Sequence, residues 1–140
     1  MDLPDLTATR DHARATAARL PHGALLVLTG PLGAGKTTYV AALAAALGSE
    51  ADVTSPTYTL VHEYPTPTGP LVHVDAYRLG PDVDLDRALD LDDAVDRARA
   101  VVVEWGAALL PRHPEAWHLE LSRAGARRRA TWHRPVGGPA

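Results

Sequence analysis

Gly30-Pro31-Leu32-Gly33-Ala34-Gly35-Lys36-Thr37 fits the pattern G-x-x-x-x-G-K-[ST] at every fixed position, and its flanks decide the fold. Before it, Ala24-Leu25-Leu26-Val27-Leu28-Thr29 is an apolar run that predicts a buried strand. After it, Thr38 to Leu47 is nearly all alanine, leucine and valine, which predicts a helix closed by Gly48 as its C-terminal cap. Strand, glycine loop and helix in that order make a phosphate cradle. The glycines let the backbone turn so that several N–H groups point inward, and the positive end of the helix dipole favours the same anion. In this pattern Lys36 reaches the β- and γ-phosphates and the Thr37 hydroxyl ligates Mg²⁺. A glycine-rich turn that merely carries a lysine is the alternative, and the two correct flanks argue against it.

A chain of 140 residues suits one domain and can bury roughly 70% of its unfolded surface. With 14 Lys+Arg against 17 Asp+Glu the formal charge is −3, so no global basic field points to nucleic acid. The absence of cysteine excludes disulfides, thiolate zinc sites and cysteine nucleophiles. No apolar run approaches membrane length, and Met1-Asp2-Leu3-Pro4-Asp5 is acidic rather than signal-like. The expectation is a soluble cytoplasmic chain with no membrane partner.

Leu6 to Leu20 predicts a short packing helix, with Thr9 as N-cap and a thin stripe of Leu6, Ala13, Ala17 and Leu20. Pro21-His22-Gly23 is a turn. From Val53 to Tyr64, Pro56 forces Ser55 to be extended, and alternation from Tyr58 predicts a strand. Leu71-Val72-His73-Val74-Asp75 is its antiparallel partner across the turn 65–70. The hydroxyl-rich loop Thr54-Ser-Pro-Thr-Tyr58 sits where nucleotide-binding proteins sense the γ-phosphate, and reads equally as a plain proline turn. Asp82 to Asp96 holds seven aspartates and one arginine, a solvated acidic face that Asp90-Leu91-Asp92 breaks into two short helices. It lacks the glycine and glutamate of an EF-hand. Trp117 to Leu121 and Arg129 to His133 alternate as a hairpin around the basic turn of Arg123, Arg127, Arg128 and Arg129, which suits phosphate, nucleic acid, an acidic partner or a soluble edge.

Two acids stand out. Asp75 ends one apolar strand, and Glu104 ends another, Ala100 to Val103. Ligands in open α/β sheets bind beyond the carboxyl ends of strands. The two could therefore converge on the Mg²⁺ of the adjacent loop, one holding metal and the other placing a water. Each taken alone could be an N-cap or a turn residue.

The set Gly30-Pro-Leu-Gly-Ala-Gly-Lys-Thr-Thr38, Thr54-Ser-Pro-Thr-Tyr58, His73-Val-Asp-Ala-Tyr-Arg78 and Glu104-Trp105-Gly106 closely resembles the TsaE family, small bacterial P-loop ATPases of the tRNA threonylcarbamoyladenosine pathway. The resemblance implies a single α/β P-loop domain over residues 1–134, with a mixed, mainly parallel sheet flanked by helices and a C-terminal antiparallel hairpin. Residues 135–140 are expected to be a disordered tail. It implies ATP or ADP with Mg²⁺, contacted by Gly30, Leu32, Gly33, Ala34, Gly35, Lys36, Thr37 and Thr38. Thr37 and Glu104 would hold the metal, and Asp75 would be a Walker-B-like acid or support the metal from behind. Thr57 would lie in a switch-like loop, and Trp105 would present Glu104 or meet a partner. Thr7 and Arg127 would lie near the adenine. The implied partners are TsaD-like and TsaB-like proteins, with tRNA reached through that complex. There ATP hydrolysis supports turnover of the complex and does not itself make the modification.

One position departs from the family. An acidic residue usually follows the first loop glycine, and here it is Pro31, which removes a carboxylate and a backbone N–H beside the phosphates. Two other readings of the same residues are a small-molecule kinase with Asp75 as base, and a nucleotide-dependent assembly factor that does not turn ATP over. A kinase would want a lid and a substrate-binding stretch, and no such insertion is evident.

Overall fold

The unbroken apolar runs become the inner strands of a sheet, since a strand covered on both faces has no polar side to show. The structure, a computed structural model, describes residues 1–31, 33–51, 61–79 and 82–134. Leu32, the loop carrying Thr57, the strand start at Tyr58 and the tail 135–140 lie outside the described residues. In chain order the elements are β1 (Asp2–Leu3), α1 (Leu6–Arg19), β2 (Ala24–Thr29), α2 (Lys36–Ala46), β3 (Val61–Tyr64) and β4 (Leu71–Asp75). There follow α3 (Leu85–Ala88), α4 (Leu91–Arg97), β5 (Ala100–Glu104), β6 (Trp117–Ala124) and β7 (Arg127–Arg134).

The strands form one sheet in the order β1-β7-β6-β2-β5-β4-β3. β6, β2, β5 and β4 run parallel, and antiparallel strands finish both edges. This is the expected mixed α/β sheet with a C-terminal hairpin. Strand alternation sends Leu26, Leu28, Ala100, Val102 and Leu119 to one face, where Tyr39, Val40 and Leu43 of α2 and Ala13 of α1 cover them. Leu25, Val27, Val72, Val74, Val101 and Val103 line the other, under Leu85, Leu91 and Ala94 of α3 and α4. No helix among the described residues is long and apolar enough to cross a membrane.

Three expectations are corrected. Asp5, not Thr9, caps α1: its carboxylate accepts the Ala8 N–H at 2.8 Å, while Thr9 is buried within the helix. Aspartate is the stronger cap, and it lies one turn earlier. Leu6 faces solvent, and His12 and Thr16 take its place in the buried face. The hairpin is longer than its alternation suggests and gains β1, whose two residues pair with Arg128 and Arg129. Elsewhere the pattern holds. Gly48, at φ +95°, closes α2 with its N–H on Ala45 O, and Asp90, at φ +46°, separates α3 from α4. Arg99 donates to Ala17 O, Leu20 O and Pro21 O, a cation on the carbonyl end of α1 that ties it to β5.

Candidate functional site

β2 delivers the glycine loop to the carboxyl end of the sheet. A Cβ at Gly30 would lie 2.0 Å from Leu121 O of the neighbouring β6, so only glycine lets the loop leave the sheet there. Pro31 O then accepts the Ala34 N–H at 3.1 Å, tightening the turn. Gly33 and Gly35 carry φ +79° and +97°, and α2 starts directly at Lys36. The first N–H groups of α2 have no intrahelical acceptor and point into the loop.

Lys36 is buried, 5% exposed, and folds back over the loop. Its Nζ donates to Gly30 O at 2.5 Å and Pro31 O at 3.0 Å, and stands 4.2 Å from the Trp105 ring centre. Burial lowers its pKa, opposed in part by Glu104 and Asp75.

The two acids are neighbours, as their strand-end positions suggested. In the parallel ladder Glu104 pairs with Leu28 on one side and Asp75 on the other. Glu104 is buried. Its Oε2 accepts from His73 Nε2 at 2.5 Å and from the Thr37 hydroxyl at 3.4 Å. Asp75 Oδ1 accepts the Tyr77 N–H at 3.0 Å, so the turn role is real and occupies only one of its oxygens. Lys36, Thr37, Asp75, Glu104, Trp105 and Thr38 line a cleft of about 280 Å³ with Gly33, Gly35 and Arg128. Thr37 and Thr38 also begin a groove of about 640 Å³ between α1 and α2, lined by Leu6, Arg10 and Ala42. Thr7 is exposed beside Leu6, and Arg127 is exposed at the start of β7 and does not line the cleft.

The donor set suits Mg²⁺. The Thr37 hydroxyl, the Glu104 carboxylate and the register neighbour Asp75 are hard oxygens gathered at the loop. Among the described residues no three His, Cys, Asp or Glu side chains form a cage, so an ion held here would complete its octahedron with phosphate and water.

Sequence reasoning left His73, His12, Thr16 and Tyr39 without a role, and did not single out Arg128 from its neighbours. His73 lies two positions before Asp75 and so shares its face, a signal carried by the H-x-D spacing. His12 and Thr16 of α1 meet Tyr39 of α2, at 2.6 Å (Nδ1 to Oη) and 2.8 Å (Oγ1 to Oη). Burial raises the Tyr39 pKa, so the phenol keeps its proton and this network locks α2, and the loop with it, against α1. Arg128 sits against Gly35.

The family model described as threonylcarbamoyl adenosine biosynthesis protein TsaE matches residues 3–131. The tRNA threonylcarbamoyladenosine biosynthesis protein TsaE of Bacillus subtilis is 36% identical over 130 residues, 92% of this chain and 80% of that protein. Its counterpart in Synechocystis is 47% identical over 77 residues, 55% of this chain, and the match spans about half of that relative, 49%. The crystal structure of Bacillus subtilis YdiB superposes with a TM-score of 0.70 at 31% identity, over 94% of this chain and 82% of that one. Matched by the family model from β1 into β7, the chain belongs to the TsaE family.

Proposed function

We propose that the chain binds ATP and ADP with Mg²⁺ in this cleft and hydrolyses ATP. It would act in the cytoplasm as the nucleotide-driven member of the machinery that places threonylcarbamoyl on adenosine of tRNA, with TsaD-like and TsaB-like partners and tRNA reached through them. The observation that carries the reading is the Thr37 hydroxyl 3.4 Å from Glu104, at the mouth of a glycine loop closed by a buried lysine. Lys36 exchanges its two carbonyl acceptors for β- and γ-phosphate oxygens. Thr37 and Glu104 hold the metal, which when bound supplies charge neutralisation on the phosphate oxygens. The second oxygen of Asp75, unengaged among the described residues, orients the attacking water. Gly30, Leu32, Gly33, Ala34, Gly35 and Thr38 complete the cradle. Thr57 as a γ-phosphate sensor, and Thr7 and Arg127 near the base, rest on the family resemblance.

Calorimetry with MgADP tests the cradle. Lys36→Ala is expected to weaken binding about tenfold or more, ~1.4 kcal/mol, the scale of a charge-assisted phosphate contact. Equal affinities for the two proteins would overturn the assignment.

A further inference from the structure

Two arginines of the β6–β7 hairpin face the phosphate loop from the side away from the acids. In the sheet order β2 lies between β6 and β5, so the hairpin flanks the loop on one side and Asp75 and Glu104 flank it on the other. Arg123 of β6 and Arg128 of β7 are direct partners in the antiparallel ladder and therefore share a face. On β7 that face continues into Ala130 and Trp132, which pack in the core beneath the helices, so Arg128 stands at its open end. The Nε and Cδ atoms of Arg128 are 2.8 and 2.9 Å from where a Cβ at Gly35 would stand. Arg123 Nη1 is 3.7 Å from the same point at Gly33.

Like charges directly opposed on a ladder destabilise a hairpin. Neither guanidinium has a hydrogen bond or ion pair among the described residues, whereas that of Arg129, on the other face, approaches Asp2 at 3.9 Å. In the cleft, Lys36 is outnumbered by Asp75 and Glu104. Arg128 restores the balance, and Arg123 tips it toward an anion. A planar guanidinium fork also matches two phosphate oxygens at once.

We propose that Arg128, with Arg123 beside it, is the second cationic wall of the site and donates to the β-phosphate of a nucleoside di- or triphosphate over Gly35. Arg128 is then a binding residue supplied by the hairpin. The proposal rests on the nucleotide reading above.

The test is calorimetry on the full chain with MgADP and with AMP, which lacks the phosphate enclosed by the loop. Arg128→Ala is expected to weaken MgADP about tenfold and AMP less than about threefold, with Arg123→Ala in between. Arg129→Ala removes the same charge from the opposite face and is expected to change MgADP binding less than about twofold. The urea midpoint of ligand-free Arg128→Ala should equal or exceed that of the wild type, because a like-charge pair is relieved. Equal MgADP affinity in wild type and Arg128→Ala, or equal losses in Arg128→Ala and Arg129→Ala, would overturn the arginine wall while leaving the cradle intact. A wild type that binds no MgADP would overturn the cradle and the wall together. Should Arg128→Ala not fold, Arg128→Gln read by the same titration decides.

Discussion

His73 Nε2 donates to Glu104 Oε2 across 2.5 Å, with both side chains sealed beneath α2. The other ring nitrogen, Nδ1, is buried with no hydrogen-bond partner among the described residues. A bare acceptor tolerates that better than an orphaned N–H, which places the ring proton on Nε2. The histidine thus holds the same carboxylate oxygen that meets the Thr37 hydroxyl, and fixes the carboxylate beside the loop. His73→Leu removes the donor and leaves Glu104 buried without it, at a cost of about 1–3 kcal/mol by urea denaturation. A purely structural histidine would do no more. A positioning one also sets the Mg²⁺ concentration that tightens ADP, which should rise in His73→Leu and recover in His73→Gln. Unchanged metal dependence in His73→Leu would leave it a structural role only.

Asp75 and Glu104 are adjacent in the ladder yet differently bonded, and their variants should part company. Glu104→Gln is expected to lose Mg²⁺-dependent tightening of nucleotide together with hydrolysis. Asp75→Asn keeps its bond to the Tyr77 N–H and most of the binding, and loses turnover. Phosphate release at wild-type rate in both variants would refute their place in the chemistry.

How much of this could be read from the chain depended on how local each signal was. β2, the loop and α2 were legible because an apolar run, three glycines and an alanine-rich stretch are contiguous. The strand-end acids were legible because each closes its own run, but the His73–Glu104 bond needs the parallel register of β4 on β5, which no local pattern encodes. Arg127, Arg128 and Arg129 look alike in sequence. Which of them meets the loop is a matter of strand register, and a shift of one residue would send a different arginine there. β1, at two residues, is too short to show any period.

His12 gives the fold a pH dependence. Burial, and secondarily the chain's amino group, lowers its pKa below the ordinary value of about 6.5. Below that value the unfolded chain takes up the proton more readily than the folded one. The contribution of His12 to stability is therefore full above about pH 6.5 and is lost as the pH falls toward the depressed folded-state value. Urea midpoints at about pH 7.5 and 5.5 should drop less in His12→Gln, whose amide can still meet Tyr39 and does not titrate. Equal drops in both proteins would show that His12 is not the group responsible.

Trp105 adopts φ +61°, a left-handed conformation that costs a tryptophan on the order of 1 kcal/mol, directly after Glu104. That backbone turn lays its ring over Lys36 and within 4.9 Å of the ring of Tyr77, a residue 54% exposed. An exposed tyrosine on a half-buried tryptophan, bordering the cleft, is a surface that a second protein can cover. Among the residues whose side chains are described, which leaves out Arg78, Arg128 is the arginine that lines the cleft, and it stands at Gly35, away from the Gly30 and Pro31 carbonyls that hold Lys36. In the proposed placement of the nucleotide, the γ-phosphate end therefore meets a lysine and no guanidinium of those described side chains. In related P-loop enzymes an arginine supplied by a partner is worth ~10³–10⁵ in rate. Phosphate release by the isolated chain should be slow, and should rise about tenfold or more on adding TsaD-like and TsaB-like proteins of the same organism. Trp105→Ala should bind MgADP only a few-fold more weakly, the ~0.5–1 kcal/mol of a surface cation–π contact, yet lose most of the stimulation. Steady-state phosphate release with and without the partners checks both. Fast turnover by the chain alone, unaffected by partners or by Trp105→Ala, would mean that the cleft closes on itself and needs no second protein.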